Sequence, residues 1–214
     1  MALMAAETLN IDYDRIRVRI ADTDSTGYCA TTGGSRTTFA TGLAVIRACE
    51  QVIVELKARV AKTWDIEPNQ VDWIDGEARP SLGANIDVEP ISLRDIARNA
   101  ARTGGPISGR ASLNAQGPGP SFAVNLADVH VDRDTGRPTV TRFTAIQDAG
   151  KAIHPDYVEG QMQGGAVQGI GWALNEEYIY DQEGVLDNPG FLDYRVPVAS
   201  DVPMIDCEIV EVAN

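Results

Sequence analysis

The sequence predicts a mixed α+β fold with largely antiparallel sheets, a long helix behind a Gly/Ser/Thr-rich loop, and a second helix rich in glycine. Three observations carry this. Apolar and polar residues alternate with period two over 15–21, and two neighbouring runs, 122–131 and 138–146, read as strands joined by a hairpin turn. Val45, Ala48, Cys49, Val52, Leu56 and Val60 recur at three- and four-residue spacing, which is one apolar stripe of a helix over 39–63. A segment opened by Pro155 then carries five glycines in the twelve residues 160–171 yet ends in the helix-forming Trp172, Ala173 and Leu174.

The elements follow in order. Arg15, Arg17 and Arg19 alternate with Ile16, Val18 and Ile20, the pattern of a half-buried strand. It breaks into a turn-rich loop from Asp22 to Gly27 that continues through Thr31 to Thr38 and feeds the long helix. Pro68 closes that helical unit, and 71–74 reads as a short strand turning at Asp75 and Gly76. A second helix is expected over 93–102, with Ser92 as N-cap and Asp95 three residues on. Residues 103–120 are rich in Gly, Pro and Ser and form the best internal boundary. The strands 122–131 and 138–146 make a hairpin around the turn Asp132 to Gly136. Beyond the glycine-rich helix, which runs to about Asn175, further strands are expected at 177–180 and 204–212. The chain thus divides into a first part, 1–103, a connection, 104–120, and a second part, 121–214.

Composition narrows the function. At 214 residues, 43% hydrophobic and 23% charged, the chain is long enough for a proper core and ordinary for a globular protein. A net charge of -13 with no basic stripe argues against a nucleic-acid surface. Cys29, Cys49 and Cys207 are odd in number and scattered, which suits free thiols in the cytoplasm better than disulfides or a zinc site. No apolar run approaches the ~20 residues of a membrane span, and residues 1–7 lack a basic leader.

Two places carry candidate chemistry. Gly33 to Thr38 is a glycine- and hydroxyl-rich turn at a helix N-terminus, where unsatisfied N–H groups meet the positive end of the dipole. It is neither a P-loop nor a dinucleotide fingerprint, so it reads either as an anion site or as a capped loop with Thr37 or Thr38 as N-cap. The glycine helix costs roughly 1 kcal/mol per glycine relative to alanine, so a return is expected. That return is close approach, either of another helix at Gly160/Gly164 or Gly165/Gly169, or of a bulky ligand. Gln161 and Gln168, seven residues apart, share one face and favour a polar partner. The remaining polar residues read as structural: His154 as a helix-entry residue, His130 as a strand side chain, Asp22 and Asp24 as turn formers, Asp148 with Gly150 as the loop before the helix. Neither a catalytic triad nor a metal-ligand cluster can be assembled from these residues.

Four motifs, in order, resemble a known family. They are Asp22 to Tyr28 followed by Thr32 to Thr38, then Ile146 to Pro155, then Glu159 to Leu174, then Leu192 to Pro197. Together they resemble the molybdenum-binding subunit of the xanthine dehydrogenase and aldehyde oxidase family, over nearly the whole chain from about Ile11. The fold implied is that of the family's second molybdopterin-binding domain. The resemblance implies molybdenum held by a molybdopterin dithiolene, often as the cytosine dinucleotide, with no direct protein ligand. It implies that Gly34, Ser35, Thr37 and Thr38 cradle the pterin or its phosphates, with Arg36 as a further phosphate contact. Gln168 would sit beside the molybdenum oxo group, Gly169 and its neighbours making room.

Family members oxidise aldehydes or N-heteroaromatic compounds with water as the oxygen source. Their electrons pass through iron–sulfur clusters to FAD or another acceptor on partner subunits. The implied partners are therefore the remainder of the molybdenum subunit, an iron–sulfur subunit and a flavin subunit. The family's general-base glutamate would fall beyond Asn214, so no catalytic residue is assigned within the chain. It reads as part of a molybdenum subunit, inactive alone, or alternatively as a non-catalytic piece that completes a split subunit with a partner chain.

Overall fold

A computed structural model describes residues 1–20, 22–24, 27–115, 117 and 119–212. The chain divides into two compact units, Met1–Pro118 and Gly119–Asn214.

The first unit is built on the long helix. Helix α1, Ala2–Leu9, is followed by helix α2, Thr37–Trp64, of 28 residues. Along α2 the buried Cys49, Leu56 and Val60 lie on the stripe that the spacing predicts. Asp65, left-handed at φ 54°, ends the helix. Strands β1 (Val71–Ile74), β2 (Glu77–Pro80) and β3 (Ile91–Ser92) make an antiparallel sheet. Asp75 at φ 53° and Gly76 at φ 72° form the two-residue turn between β1 and β2, a geometry whose twist matches paired strands. Leu56, Val60 and Ala61 of α2 pack on Val71, Ala78 and Ile96.

Ser92 caps helix α3, Leu93–Arg98, as expected: its hydroxyl accepts from the Asp95 amide at 3.2 Å and donates to Asp95 Oδ2 at 2.7 Å. Asn99 then breaks the helix, and the expected span resumes as the short α4, Ala100–Thr103. The chain returns across α2, where buried Arg59 donates to Thr103 Oγ1 at 3.5 Å and to the Gly105 carbonyl.

The second unit is a three-stranded sheet with one helix. Strands β4 (Ala123–Val131) and β5 (Pro138–Asp148) pair antiparallel, and β6 (Ile205–Val210) runs parallel to β5. Asp132 closes the hairpin by accepting from the amides of Asp134 at 2.9 Å and Thr135 at 2.8 Å. Those bonds hold its carboxyl below the usual carboxylate range. Helix α5, Pro155–Leu174, lays Ile170 with Met162, Ala166 and Val167 on Val140, Ala145 and Ile205. Apart from the parallel β5–β6 pair, every strand pairing is antiparallel.

Two local expectations need correction. Residues 16–20 follow a 3-10 turn, Tyr13–Arg15, and form no ladder; Val18 and Ile20 are exposed, and Ala21 lies outside the described residues. Alternation supplies a strand's side-chain pattern, but a strand also needs a neighbour's hydrogen bonds. Residues 177–180 hold only a single bridge, Tyr180 to Leu186. The Ile179 carbonyl accepts from the Asp187 amide at 2.8 Å, but the Asn188 side chain takes the next positions of the ladder, accepting from the Ile179 amide at 2.9 Å and donating to the Glu177 carbonyl at 2.6 Å. Helix α1 and strands β2 and β3 have no counterpart among the expected elements, although the turn at Asp75 and Gly76 already calls for a returning segment at β2. The strong helix formers of Met1–Leu9 are signal enough for the first, whereas β3 is two residues long.

Candidate functional site

In the first unit, Gly34 at φ 59° and Ser35 at φ 57° are both left-handed, and Arg36 returns to the right-handed region at φ −80°, ψ −20°. Successive residues of opposite hand turn their N–H groups to one side, a concavity suited to an anion. Arg36 occupies the N-cap position of α2 but makes no side-chain cap bond. Thr37 and Thr38 therefore stand at the first two helical positions, correcting the reading that either is the N-cap. Ala40 already donates to the Arg36 carbonyl at 2.9 Å, so the amides of Thr37, Thr38 and Phe39 are the ones with no acceptor inside the helix. Gly33 to Ser35 and Thr38 are exposed, while Arg36 and Thr37 are half-buried. Arg36 Nη1 donates to the Ala30 carbonyl at 3.4 Å, which folds its side chain back on the loop.

In the second unit, helical geometry sorts the glycines. The face of α5 opposite its packed side carries Tyr157, Gln161, Gly164, Gly165, Gln168 and Trp172, all exposed and all three or four residues apart or adjacent. A Cβ built on Gly160, Gly164, Gly165 or Gly169 meets nothing within 4 Å, so among the described residues no neighbour in the second unit uses the clearance. Gly171 is different: its Cβ would run into Pro197 at 2.7 Å and into the Glu176 carboxylate. One glycine of the five serves internal packing; Gly164 and Gly165 keep the outward face flat, and Gly160 and Gly169 leave its flanks open. Gln168 and Gly169 thus stand together on that side of the second unit, while Gly34 to Thr38 stand together in the first.

The approach to α5 is braced. Asp148 Oδ1 accepts from the Gly150 amide at 3.0 Å, and Gly150 takes φ 61°. Glu211 accepts from the Ala152 amide at 2.8 Å and pairs with Lys151 at 3.5 Å, a contribution that spacing in the sequence could not reveal. His154 sits at the N-cap position and stacks on Tyr157 with ring centroids 3.9 Å apart. Beyond the helix, Tyr194 donates to Glu176 at 2.7 Å, and that bond, with desolvation, pushes the phenol up to about 12.

The other candidates are structural. Asp22 accepts from the Asp24 amide at 3.1 Å as a turn former; Ser25 and Thr26 of that turn lie outside the described residues. His130 is an exposed strand residue. All three cysteines are free, and burial raises the Cys49 thiol. Among the described residues no cluster of three His, Cys, Asp or Glu could hold a metal ion, and no helix is long and apolar enough to cross a membrane.

The model of the molybdopterin cofactor-binding domain family matches residues 1–203. The chain is 30% identical to the 6-hydroxypseudooxynicotine dehydrogenase complex subunit gamma of Paenarthrobacter nicotinovorans, covering 100% of this chain and 27% of that protein. It is 31% identical to the xanthine dehydrogenase molybdenum-binding subunit of Escherichia coli O157:H7, covering 98% of this chain and 28% of the relative. The structure of quinoline 2-oxidoreductase from Pseudomonas putida 86 superposes with a TM-score of 0.82 at 26% identity, over 99% of this chain and 27% of that one. The chain therefore spans between a quarter and a third of the length of these relatives. Matched over nearly its whole length by one domain model and by a solved fold, the chain belongs to the molybdopterin cofactor-binding domain family.

Proposed function

We propose that the chain forms the cofactor-contacting part of the molybdenum subunit of a hydroxylase that oxidises an aldehyde or N-heteroaromatic substrate with water as oxygen source. The observation that carries the reading is the outward face of α5, where Gly164, Gly165 and Gly169 leave open space around Gln168. Glycines that no neighbour in the second unit exploits cost helix stability, and a large group lying against the backbone explains why they are kept.

The residues fit a pterin–phosphate ligand. Gly164, Gly165 and Gly169 would clear the surface, and the Gln168 amide would offer its N–H to an acceptor oxygen of the bound group. In the other unit the amides and hydroxyls of Thr37 and Thr38, with Gly34 and Ser35 shaping the turn, donate to phosphate or pterin oxygens, and Arg36 adds positive charge. When bound, the molybdenum–molybdopterin group supplies the redox chemistry; the residues of this chain bind and orient it. We place turnover in the assembled subunit, of which this chain supplies the cofactor-contacting part. We assign residues 1–103 and 121–214 as two cofactor-contacting subdomains joined by 104–120, and the cofactor as the cytosine dinucleotide form. Electrons would leave through an iron–sulfur subunit to a flavin subunit, in a cytoplasmic complex; the name of the Paenarthrobacter relative, a dehydrogenase complex subunit, supports a multi-subunit assembly.

The test is cofactor content. The chain is purified with the rest of its molybdenum subunit, and molybdenum and cytosine nucleotide are measured per chain. The wild-type preparation should hold both near one equivalent, and Gln168→Ala should lower molybdenum retention while leaving the chain folded. An assembled, folded subunit containing neither would overturn the proposal.

A further inference from the structure

Packing holds one end of α5 better than the other. The helix meets the sheet through Met162, Ala166, Val167 and Ile170, and the contact of Gly171 with Pro197 fixes its far end. Within 155–161, by contrast, every residue except Val158 is exposed. Gly160 weakens the helix just where this unburied stretch meets the packed one. The Cys207 thiol reaches the Glu159 carbonyl at 3.8 Å, but a thiol is a weak donor. Burial therefore does little to set where the first two turns lie, although they carry Tyr157 and Gln161 of the outward face.

A carboxylate latch between residues 149–154 and the end of β6 holds the entry instead. The Ala149 amide donates to the Val210 carbonyl at 2.9 Å, carrying the β5–β6 pairing one step past Asp148. Asp148 Oδ1 accepts from the amides of Gly150 at 3.0 Å and Val212 at 3.4 Å, and the Asp148 carbonyl accepts from the Ser121 hydroxyl at 2.7 Å. Gly150, left-handed at φ 61°, turns the loop beside the Val212 carbonyl. Glu211 Oε1 then accepts from the Ala152 amide at 2.8 Å, and Oε2 pairs with Lys151 at 3.5 Å. These two bonds differ in weight. The Lys151 side chain is 78% exposed, so water screens its ion pair. Ala152 is buried, with 8% exposure, so water does not readily replace the carboxylate that receives its amide. Two residues on, the His154 carbonyl accepts from Tyr157 and Val158 at 3.1 Å and the helix begins.

We propose that Glu211 is a positioning residue for the outward face of α5: by receiving the Ala152 amide it sets the entry of the helix and keeps Tyr157 and Gln161 in line with Gln168. This rests on that face taking the cofactor. The accepting oxygen matters here, and the charge does not. Glu211→Gln keeps a carbonyl oxygen for the amide, whereas Glu211→Ala leaves a buried N–H without its acceptor. Once that amide is released, the exposed entry turns swing about the packed segment 162–170. A ligand lying along the face then loses contacts at one end, while the core beneath it stays intact.

Three variants test this in the chain assembled with the rest of its molybdenum subunit: Glu211→Ala, Glu211→Gln and Lys151→Ala. The side chains changed are 44% and 78% exposed, so all three should fold. Amide hydrogen exchange reads the latch, and the rate at which molybdenum leaves on dilution reads the face. Glu211→Ala should speed exchange at Ala152 and over 158–162 about 10-fold, leave 170–174 unchanged, and speed molybdenum release about 10-fold. Glu211→Gln and Lys151→Ala should stay within about twofold of wild type in both readouts. Faster exchange at the entry with unchanged molybdenum release overturns the positioning role and leaves the cofactor reading intact. So does a Glu211→Gln variant that behaves like Glu211→Ala, or exchange that rises equally along all of α5, the mark of general destabilisation. A folded wild-type subunit that holds no molybdenum overturns the cofactor reading and this proposal with it, and that failure is seen before any variant is compared.

Discussion

Replacing Gly164 and Gly165 by alanine should move stability and cofactor retention in opposite directions. Both lie in the interior of α5, and a Cβ at either meets nothing within 4 Å. The substitution then adds only helix propensity, about 1 kcal/mol per site, so the double variant should be stabilised by about 2 kcal/mol. For a unit of roughly this size that corresponds to a rise in Tm of about 8–15 °C in the second unit's transition. The assay is thermal unfolding of the isolated chain by calorimetry or circular dichroism, beside molybdenum content in the assembled subunit. Gly171→Ala is the internal control: its Cβ collides with Pro197 at 2.7 Å, so it should lower stability by about 1–3 kcal/mol. A drop in Tm for the Gly164/Gly165 double variant would mean that the chain itself fills the space. A higher Tm with undiminished molybdenum would mean that the clearance is not for the cofactor. Either result refutes the argument from open glycines.

Two further expectations concern single side chains. One tyrosine should titrate near 12, because the Glu176 hydrogen bond favours the protonated Tyr194. Its folded-state value lies above the ordinary 10.0, so the stabilisation is fully present below pH 10 and is lost as pH rises through about 12. Near-ultraviolet tyrosinate absorbance should show that late step in the wild type and lose it in Tyr194→Phe; an unchanged titration would rule the pair out as its cause. Arg59→Met keeps the buried stem but abandons the bonds to Gly105, Thr103 and Glu55, and should cost roughly 2–4 kcal/mol in urea unfolding followed by the half-buried Trp73. Glu55→Gln, at an exposed acid, should cost under about 1 kcal/mol; equal losses would show that the ion pair, and not the strap over α2, is what matters.

The sequence by itself determined the elements whose information is local. The apolar stripe of α2, the Ser92–Asp95 cap, the Asp132 to Gly136 turn and the Pro155 start of α5 each depend on residues within a few positions of one another. The Gln161–Gln168 spacing on a glycine-rich helix was equally legible, because helical period alone puts the two amides on one face. Tertiary structure decided whatever depends on a distant neighbour. Residues 16–20 have the alternation of a strand but no ladder, since hydrogen bonds come from a partner that pattern cannot supply. At 177–180 the Asn188 side chain takes ladder positions that a strand partner would fill. The five glycines look alike in sequence, yet Gly171 packs on Pro197 while Gly160, Gly164, Gly165 and Gly169 face open space. Close approach is a relation between segments remote in the chain, so only the folded arrangement separates a packing glycine from one that leaves room for a ligand.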